Sequence, residues 1–236
     1  MAMLGVLGAM TVEVEAVLAA LTVPRTERLL GCPVTRGRLA GEDLVVAKSG
    51  VGKVNAALAT AALARAGATA VVFTGMAGGI GADVHIGDAV VATDLVQHDV
   101  DASAFGGTLP GQVPGEPLAW DADVALAAAL AEAASGLGAT VHRGRIASGD
   151  QFIADHARAA AIASAFDALA VEMEGAAAAQ AAARLRLPVA VLRWISDTAN
   201  DEAVTDFPAF CARVAALDLA VVQALVTRGP IWAHVD

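Results

Sequence analysis

Short apolar runs typical of β-strands alternate with amphipathic helical stretches along the whole chain. Leu4–Leu7 is apolar and ends at Gly8, and the next segment, Val12–Leu21, places its apolar residues along one helical face. Further predicted strands are Ala70–Thr74, Ala89–Thr93, Thr140–Ala147, Ala168–Met173 and Val189–Ile195, and further helices are residues 52–66, Asp121–Ala134, Ala154–Phe166, Gly175–Leu185 and one beginning near Asp206. This alternation predicts an α/β fold with a mixed central sheet and helices on its faces.

Two other segments are predicted from their turn residues. Val34–Leu39 and Leu44–Lys48 show the pattern of a β-hairpin, turned at residues 41–43. Residues 106–117 are rich in glycine and proline, and a loop of this length in a compact domain is usually functional or mobile. No repeat or low-complexity linker divides the chain, so we expect residues 1–236 to form a single domain.

The composition favours a protein that acts on small molecules. A formal net charge of −10 and the absence of a Lys/Arg cluster argue against a nucleic-acid partner. The hydrophobic content is 57%, but much of it is alanine, and glycines interrupt the longest charge-free run, residues 66–82. We therefore expect no membrane-spanning helix, and with no recognisable signal peptide we expect a cytoplasmic location.

The residues that commonly bind metals or form disulfides show no such pattern. Cys32 and Cys211 are too few for a disulfide framework and belong to no paired motif. The five histidines have no ligand spacing, and the glycines at 75–81 do not form a dinucleotide fingerprint. The sequence thus predicts neither a metal site nor a cofactor.

Three acidic residues lie at equivalent places, just past predicted strands or early in the next helix: Glu13, Glu174 and Asp197. One such residue is ordinarily explained by the helix dipole. Because ligands bind beyond the carboxyl ends of the strands in such sheets, three of them are expected to converge on one crevice. Carboxylates gathered in a partly dry site repel one another, so one stays protonated while the others ionise. The pattern predicts a general acid and a general base.

Six strings, in order over nearly the whole chain, carry a family resemblance. They are Gly5-Val-Leu-Gly-Ala-Met10, Ser49-Gly-Val-Gly-Lys-Val-Asn55, Thr74-Gly-Met-Ala-Gly-Gly79, Ser148-Gly-Asp-Gln-Phe-Ile153, Val171-Glu-Met-Glu-Gly175 and Arg193-Trp-Ile-Ser-Asp197. Together they resemble the 5′-methylthioadenosine/S-adenosylhomocysteine nucleosidases of the nucleoside phosphorylase superfamily. The resemblance implies hydrolysis of the bond between adenine and ribose in these two nucleosides, and also in 5′-deoxyadenosine, through an oxocarbenium-like transition state.

The resemblance implies a role for each acidic residue. Asp197 would be the general acid at adenine N7, and Glu13 the base that activates water. Glu174 would hydrogen-bond the ribose hydroxyls, and Arg193 would help to hold Glu13 and the water. Glu172 is interpreted as a structural cap or ion-pair residue at the substrate site rather than a catalytic one. The other positions implied at the substrate are Met10, Val51 and Phe207 around the 5′ group, Phe152 and Ile153 at the base, Met173 beneath the ribose, and Met76, Ala77, Gly78 and Ser196.

Phe105 and Pro114 match family positions that reach in from a second subunit, which implies a homodimer with shared sites.

The first strand–helix loop, residues 8–13, contains no Arg or Lys. A phosphorylase needs cations and free N–H groups there to bind a phosphate dianion, so Glu13 at this place favours water as the nucleophile.

Five residues depart from the family pattern, Thr11, Val12, Met76, Gly107 and Trp194, and they leave the preference for the substrate's 5′ substituent open. Met76 stands where a serine is common, and Trp194 replaces a small residue beside Arg193. Two alternatives also stay open: a related purine nucleosidase such as a futalosine hydrolase, and a non-catalytic nucleoside-binding protein on the same scaffold.

Overall fold

The computed structural model describes residues 2–198 and 207–229, with only the backbone of Phe207. The strands are β1 Leu4–Gly8, β2 Thr22–Leu29, β3 Cys32–Leu39, β4 Glu42–Lys48, β5 Ala70–Gly79, β6 Ala89–Gln97, β7 Ala119–Asp121, β8 Val141–Ser148, β9 Ala168–Glu172 and β10 Val189–Thr198. The helices are α1 Thr11–Ala20, α2 Lys53–Arg65, α3 Val124–Gly136, α4 His156–Phe166, α5 Gly175–Leu185 and α6 Phe207–Thr227, with a short 3-10 turn at Ser103–Phe105.

The strands form one mixed sheet. β1 lies between β4 and β5, parallel to both, and the antiparallel strands β3 and β2 extend the sheet beyond β4. On the other side, β5, β10, β6, β8 and β9 pair in a closed circuit, because β10 pairs with both β5 and β6. The predicted α/β class with a mixed sheet is confirmed.

The central strands are buried along most of their length, as expected for parallel strands covered on both faces. Every residue of β1 is buried, and so are the first six residues of β5. The helices that cover the sheet pack in two groups, α1 and α3 with α6, and α2 with α5. The sheet therefore sits in the middle of the core, and its strand ends are the exposed edge where a cavity can form.

Three strands differ from the sequence prediction. β7, which pairs with β6, was not predicted, because Asp121 was placed at the start of the following helix. β2 was not predicted, because it is an edge strand with exposed side chains on both faces and carries no hydrophobic alternation. Gly75–Gly79 was expected to be a turn but continues β5, pairing with β10 and β9. These glycines permit the close approach of β10: a Cβ at Gly79 would lie 2.9 Å from the side chain of Ile195.

Helix α6 contains one segment, Pro208–Thr227, that is long and apolar enough to cross a membrane by length and composition alone. Its residues Val214, Val221 and Leu225 are fully buried in the core, and the helix packs on α1 and α3. That is the environment of a core helix. The predicted start of this helix near Asp206 lies outside the described residues.

Candidate active site

A cavity of about 260 Å³ opens where β1, β5, β9 and β10 end. It is lined by Ala9, Met10, Glu13, Val51, Met76, Ala77, Gly78, Gln151, Phe152, Ile153, Val171, Glu172, Met173, Glu174, Ser196 and Asp197. The three carboxylates predicted to converge, Glu13, Glu174 and Asp197, all line it. A larger cavity of about 570 Å³ beside residues 79–86 has His85 and His156 as its ionisable side chains, and none of the described residues that line it is acidic.

Glu13 is held in place by backbone N–H groups. It lies in the first turn of α1 and is buried. Its Oε2 accepts hydrogen bonds from the N–H groups of Ala9 (2.7 Å) and Met10 (2.8 Å), and its Oε1 accepts one from Met76 (3.0 Å). A Cβ at position 75 would lie 2.6 Å from that Oε1, so only glycine fits beside this carboxylate. Three donors from two strand ends therefore fix the carboxylate in the cavity wall.

Asp197 reaches the same cavity through an irregularity in β10. The pairing register of β10 with β5 shifts between Ile195 and Asp197, and such a bulge re-aims side chains that would otherwise alternate between faces. As a result, both Ser196 and Asp197 line the cavity. The Ser196 hydroxyl donates to Oδ2 of Asp197 at 2.8 Å. The carboxyl of Asp197 is half-buried, and its Oδ1 lies beside Gly78. A Cβ added to Gly78 would lie 3.1 Å from this oxygen.

Glu174 stands at the N-terminus of α5, and its Oε1 accepts the N–H of Gly52 at 2.7 Å. The side chain is buried. Burial, together with the negative charge of Glu172, raises the pKa of Glu174 to about 7, although the positive charge of Arg193 acts against the rise. This carboxyl therefore titrates near neutral pH, unlike an ordinary surface glutamate.

Arg193 corrects one expectation, because its hydrogen bonds go to Glu172 and not to Glu13. Nη2 donates to Oε2 of Glu172 at 2.6 Å and Nε donates to the same oxygen at 3.3 Å. Glu13 accepts its hydrogen bonds from three backbone N–H groups instead, and Nη1 of Arg193 has no hydrogen-bond partner among the described residues. The guanidinium also lies over the Phe73 ring, 4.0 Å from its centroid, and is completely buried.

The charges around Arg193 keep it ionised. Burial alone would lower the pKa of Arg193, but the negative charges of Glu172 and Glu13 outweigh burial and raise that pKa above its ordinary value. Glu172 is a cap and ion-pair residue, as predicted: its carboxylate also accepts the N–H groups of Glu174 (3.2 Å) and Gly175 (2.8 Å). Ser148, which the sequence did not single out, donates a further hydrogen bond to Glu172.

The predicted residues for the base, the ribose and the 5′ group divide into two sets. Those that line the cavity with the carboxylates are Met10, Val51, Met76, Ala77, Gly78, Phe152, Ile153, Met173 and Ser196. Phe105 and Pro114 do not line it; both are exposed, Phe105 to 87%. The side chain of Phe207 lies outside the described part of the chain. Among the described residues, no cluster of His, Cys, Asp and Glu has the arrangement of a metal site.

The chain is similar to known proteins along nearly its whole length. The sequence model of the phosphorylase superfamily matches residues 3–227. The chain is 41% identical over 216 residues to the 5′-methylthioadenosine/S-adenosylhomocysteine nucleosidase of Bacillus thuringiensis, covering 90% of this chain and 93% of that one. It is 38% identical over 228 residues to the nucleosidase of the same name from Shewanella denitrificans, covering 95% and 99%.

Two solved structures have closely similar folds. The nucleosidase of this type from Neisseria meningitidis, crystallised in complex with methylthio-immucillin-A, superposes with a TM-score of 0.89 and 38% identity, covering 97% of this chain and all of that one. The futalosine hydrolase of Helicobacter pylori superposes with a TM-score of 0.87 and 36% identity, covering 96% and 98%.

Proposed function

This chain belongs to the phosphorylase superfamily and, within it, to the 5′-methylthioadenosine/S-adenosylhomocysteine nucleosidases, and from this membership we propose that it hydrolyses the N-glycosidic bond of those two nucleosides. The products are adenine and the corresponding 5-thioribose, and 5′-deoxyadenosine is a third substrate. The observation that carries the proposal is the convergence of Glu13, Glu174 and Asp197 on one largely apolar cavity. Binding alone does not require an acid and a base in the same site.

Asp197 is the general acid. Its Oδ2 accepts the Ser196 hydroxyl, which leaves Oδ1 to hold the proton and donate it to adenine N7. As the C1′–N9 bond breaks, its electron pair moves into the purine ring and the proton from Asp197 neutralises it. Adenine then leaves as a neutral molecule. The ribose carries the positive charge of an oxocarbenium-like transition state.

Glu13 is the general base. Water adds to C1′ and gives a proton to Glu13, whose orientation is set by the three backbone N–H groups. The same contacts explain why water, and not phosphate, is the nucleophile. The N–H groups of Ala9 and Met10 at the start of α1 would bind a phosphate dianion, but the Glu13 carboxylate already occupies them. No Lys or Arg stands among the described residues that line the cavity.

Glu174 binds the ribose hydroxyls, and its ionised form lies close to the developing ribosyl cation. Phe152, which is 79% exposed at the mouth of the cavity, stacks on adenine, while the backbone of Ile153 reads the exocyclic edge of the base. Met173 packs beneath the ribose. Arg193 acts on this site through Glu172, whose carboxylate it neutralises.

The 5′ substituent lies in an apolar pocket formed by Met10 and Val51. A second copy of the chain supplies Phe105 and Pro114 to this pocket, so the active enzyme is a homodimer. The exposure of Phe105, a large apolar side chain left in solvent, supports its burial by a partner. We also propose a cytoplasmic location.

Product analysis by mass spectrometry in phosphate-free buffer tests the function. The expected products from methylthioadenosine are adenine and methylthioribose, at a rate that added phosphate does not raise. Strict dependence on phosphate, with methylthioribose 1-phosphate as product, would contradict hydrolysis.

Futalosine is the second candidate substrate, because the Helicobacter pylori futalosine hydrolase shares the fold. Release of hypoxanthine from futalosine at a higher kcat/KM than adenine from methylthioadenosine would favour that candidate.

A further inference from the structure

A closed ring of hydrogen bonds joins three chain segments beside the cavity. The Lys53 ammonium donates to Oδ1 of Asp99 at 2.7 Å, and Oδ2 of Asp99 accepts the backbone N–H of Asp150 at 2.8 Å. The Asp150 carboxylate in turn accepts the backbone N–H of Lys53 at 2.8 Å. The ring ties the start of α2 and the segment after β6 to the segment after β8.

The ion pair of the ring is largely withdrawn from solvent, whereas Asp150 is exposed. The side chains of Lys53 and Asp99 are only 16% and 14% exposed, and Lys53 also donates to Oε1 of Gln97 at 3.0 Å. Although burial acts in the opposite direction, the hydrogen bonds from Lys53 and from the Asp150 N–H hold the pKa of Asp99 below its ordinary value. Gly149 packs so closely here that an added Cβ would lie 2.4 Å from His98. A partly buried ion pair in such a network holds its geometry better than an exposed pair.

The ring lies between the two halves of the proposed substrate site. Gly52, one residue before Lys53, donates its N–H to Oε1 of Glu174, the residue proposed to bind the ribose. Phe152 and Ile153, proposed to bind the base, follow Asp150 by two and three residues. Residues 149–155 contain no helix or strand, so side-chain contacts such as those of Asp99 must hold them in place.

Resting on the proposed function, we propose that Lys53 and Asp99 are positioning residues. They hold the base-binding segment, Gly149–Ile153, at a fixed distance from the Glu174 carboxylate, which binds the ribose. Neither side chain lines the cavity, so each acts through the backbone that it fixes. Without the ring, the segment adopts several conformations, of which only one binds the base. The affinity of the protein for substrate and adenine then falls in proportion to the population of that conformation. The acid and the base are untouched, so the chemical step changes less than binding does.

Lys53→Met and Asp99→Asn test this inference, with Asp94→Asn as the matched control. Asp94 lies on β6 and forms a partly buried ion pair with Arg145, but it does not contact the cavity. In both ring variants, KM for methylthioadenosine and the inhibition constant of adenine are expected to rise roughly tenfold, with a smaller fall in kcat. The shape of the kcat pH profile should stay as in the wild type. Lys53→Arg, which keeps a cation for Asp99, should restore KM to near the wild-type value.

Unchanged KM and adenine affinity in folded Asp99→Asn and Lys53→Met proteins, with a loss of stability like that of Asp94→Asn, would show that the ring is only structural and would overturn the inference. If Lys53→Met does not fold, Asp99→Asn and Lys53→Arg decide the question. The wild-type protein in the same assay separates the two proposals, because failure to release adenine contradicts the function itself. In that case, calorimetry can still measure the affinity of each variant for adenine, because this measurement needs no turnover.

Discussion

The indole Nε1–H of Trp194 donates a 2.8 Å hydrogen bond to Oδ1 of Asp218, and both residues are fully buried. This contact joins α6 to β10 three residues before Asp197. Burial raises the pKa of Asp218 well above its ordinary value, and the hydrogen bond from Trp194 only partly offsets that rise. The Thr74 hydroxyl lies near enough to lower the pKa slightly, although it does not reach ordinary hydrogen-bond geometry with Asp218. Burial therefore favours the neutral form of this acid.

Asp218→Asn should be at least as stable as the wild type at pH 7. Because the pKa of Asp218 is higher in the folded than in the unfolded state, its contribution to stability is complete below the unfolded pKa and falls as pH rises. Asparagine is always neutral and still accepts the indole hydrogen bond. Asp218→Leu leaves the buried indole N–H without a partner and should cost about 1–3 kcal/mol. Urea unfolding of the three proteins measures both effects. If the asparagine variant loses as much stability as the leucine variant, Asp218 is ionised in the fold.

Glu174 should make the stability of the protein fall as pH rises from about 4.5 to about 7. Its pKa is higher in the folded than in the unfolded state, so between these values the folded state binds the extra proton. The stabilisation is complete below the unfolded pKa and is lost as pH rises through the folded pKa, a change on the order of 3 kcal/mol. Unfolding free energies of wild type and Glu174→Gln across this range test it. The variant should show a flatter profile, and parallel profiles would contradict the assignment.

Breaking the buried ion pair should be far more costly than breaking an exposed one. Glu172→Gln leaves the Arg193 guanidinium buried without its counter-charge, and the expected loss of stability is roughly 3–5 kcal/mol. Asp43→Asn is the control, because its ion pair with Arg38 is more than half exposed on both sides and should contribute little to stability. Denaturant midpoints give the comparison. Similar losses in the two variants would mean that Arg193 has another partner.

Gly75→Ala tests the close contact that fixes Glu13. The new methyl group would meet the Glu13 carboxylate at 2.6 Å and displace it, so kcat should fall roughly 10²-fold. Gly136→Ala, in α3 where nothing lies within 4 Å of the added Cβ, should leave the rate unchanged. Steady-state kinetics with methylthioadenosine compare the two. Wild-type turnover by Gly75→Ala would show that the position of Glu13 is not critical.

Most of the fold could be predicted because its central strands and helices carry clear hydrophobic periods. β2 could not, since its exposed side chains carry no alternation, and Gly75–Gly79 looked like a turn because close strand packing and turns both select glycine. The three carboxylates were predicted from their places at the strand ends.

The partners of those carboxylates were harder to predict. Arg193 was assigned to Glu13, but it donates to Glu172, while Glu13 accepts from backbone N–H groups, which leave no trace in side-chain identity. Asp218 was missed because a single acid within an apolar helix gives no signal of what it faces. Trp194, noted in the sequence as an unusual neighbour of Arg193, was the available clue to that contact.

The central claim is that Asp197 protonates the base while Glu13 activates water. The most direct test is the single-turnover rate of adenine release from methylthioadenosine by wild type, Asp197→Asn and Glu13→Gln in phosphate-free buffer. Each substitution is expected to slow the chemical step by roughly 10²–10⁴-fold while substrate still binds. Rates within a few-fold of wild type in both variants would contradict this mechanism.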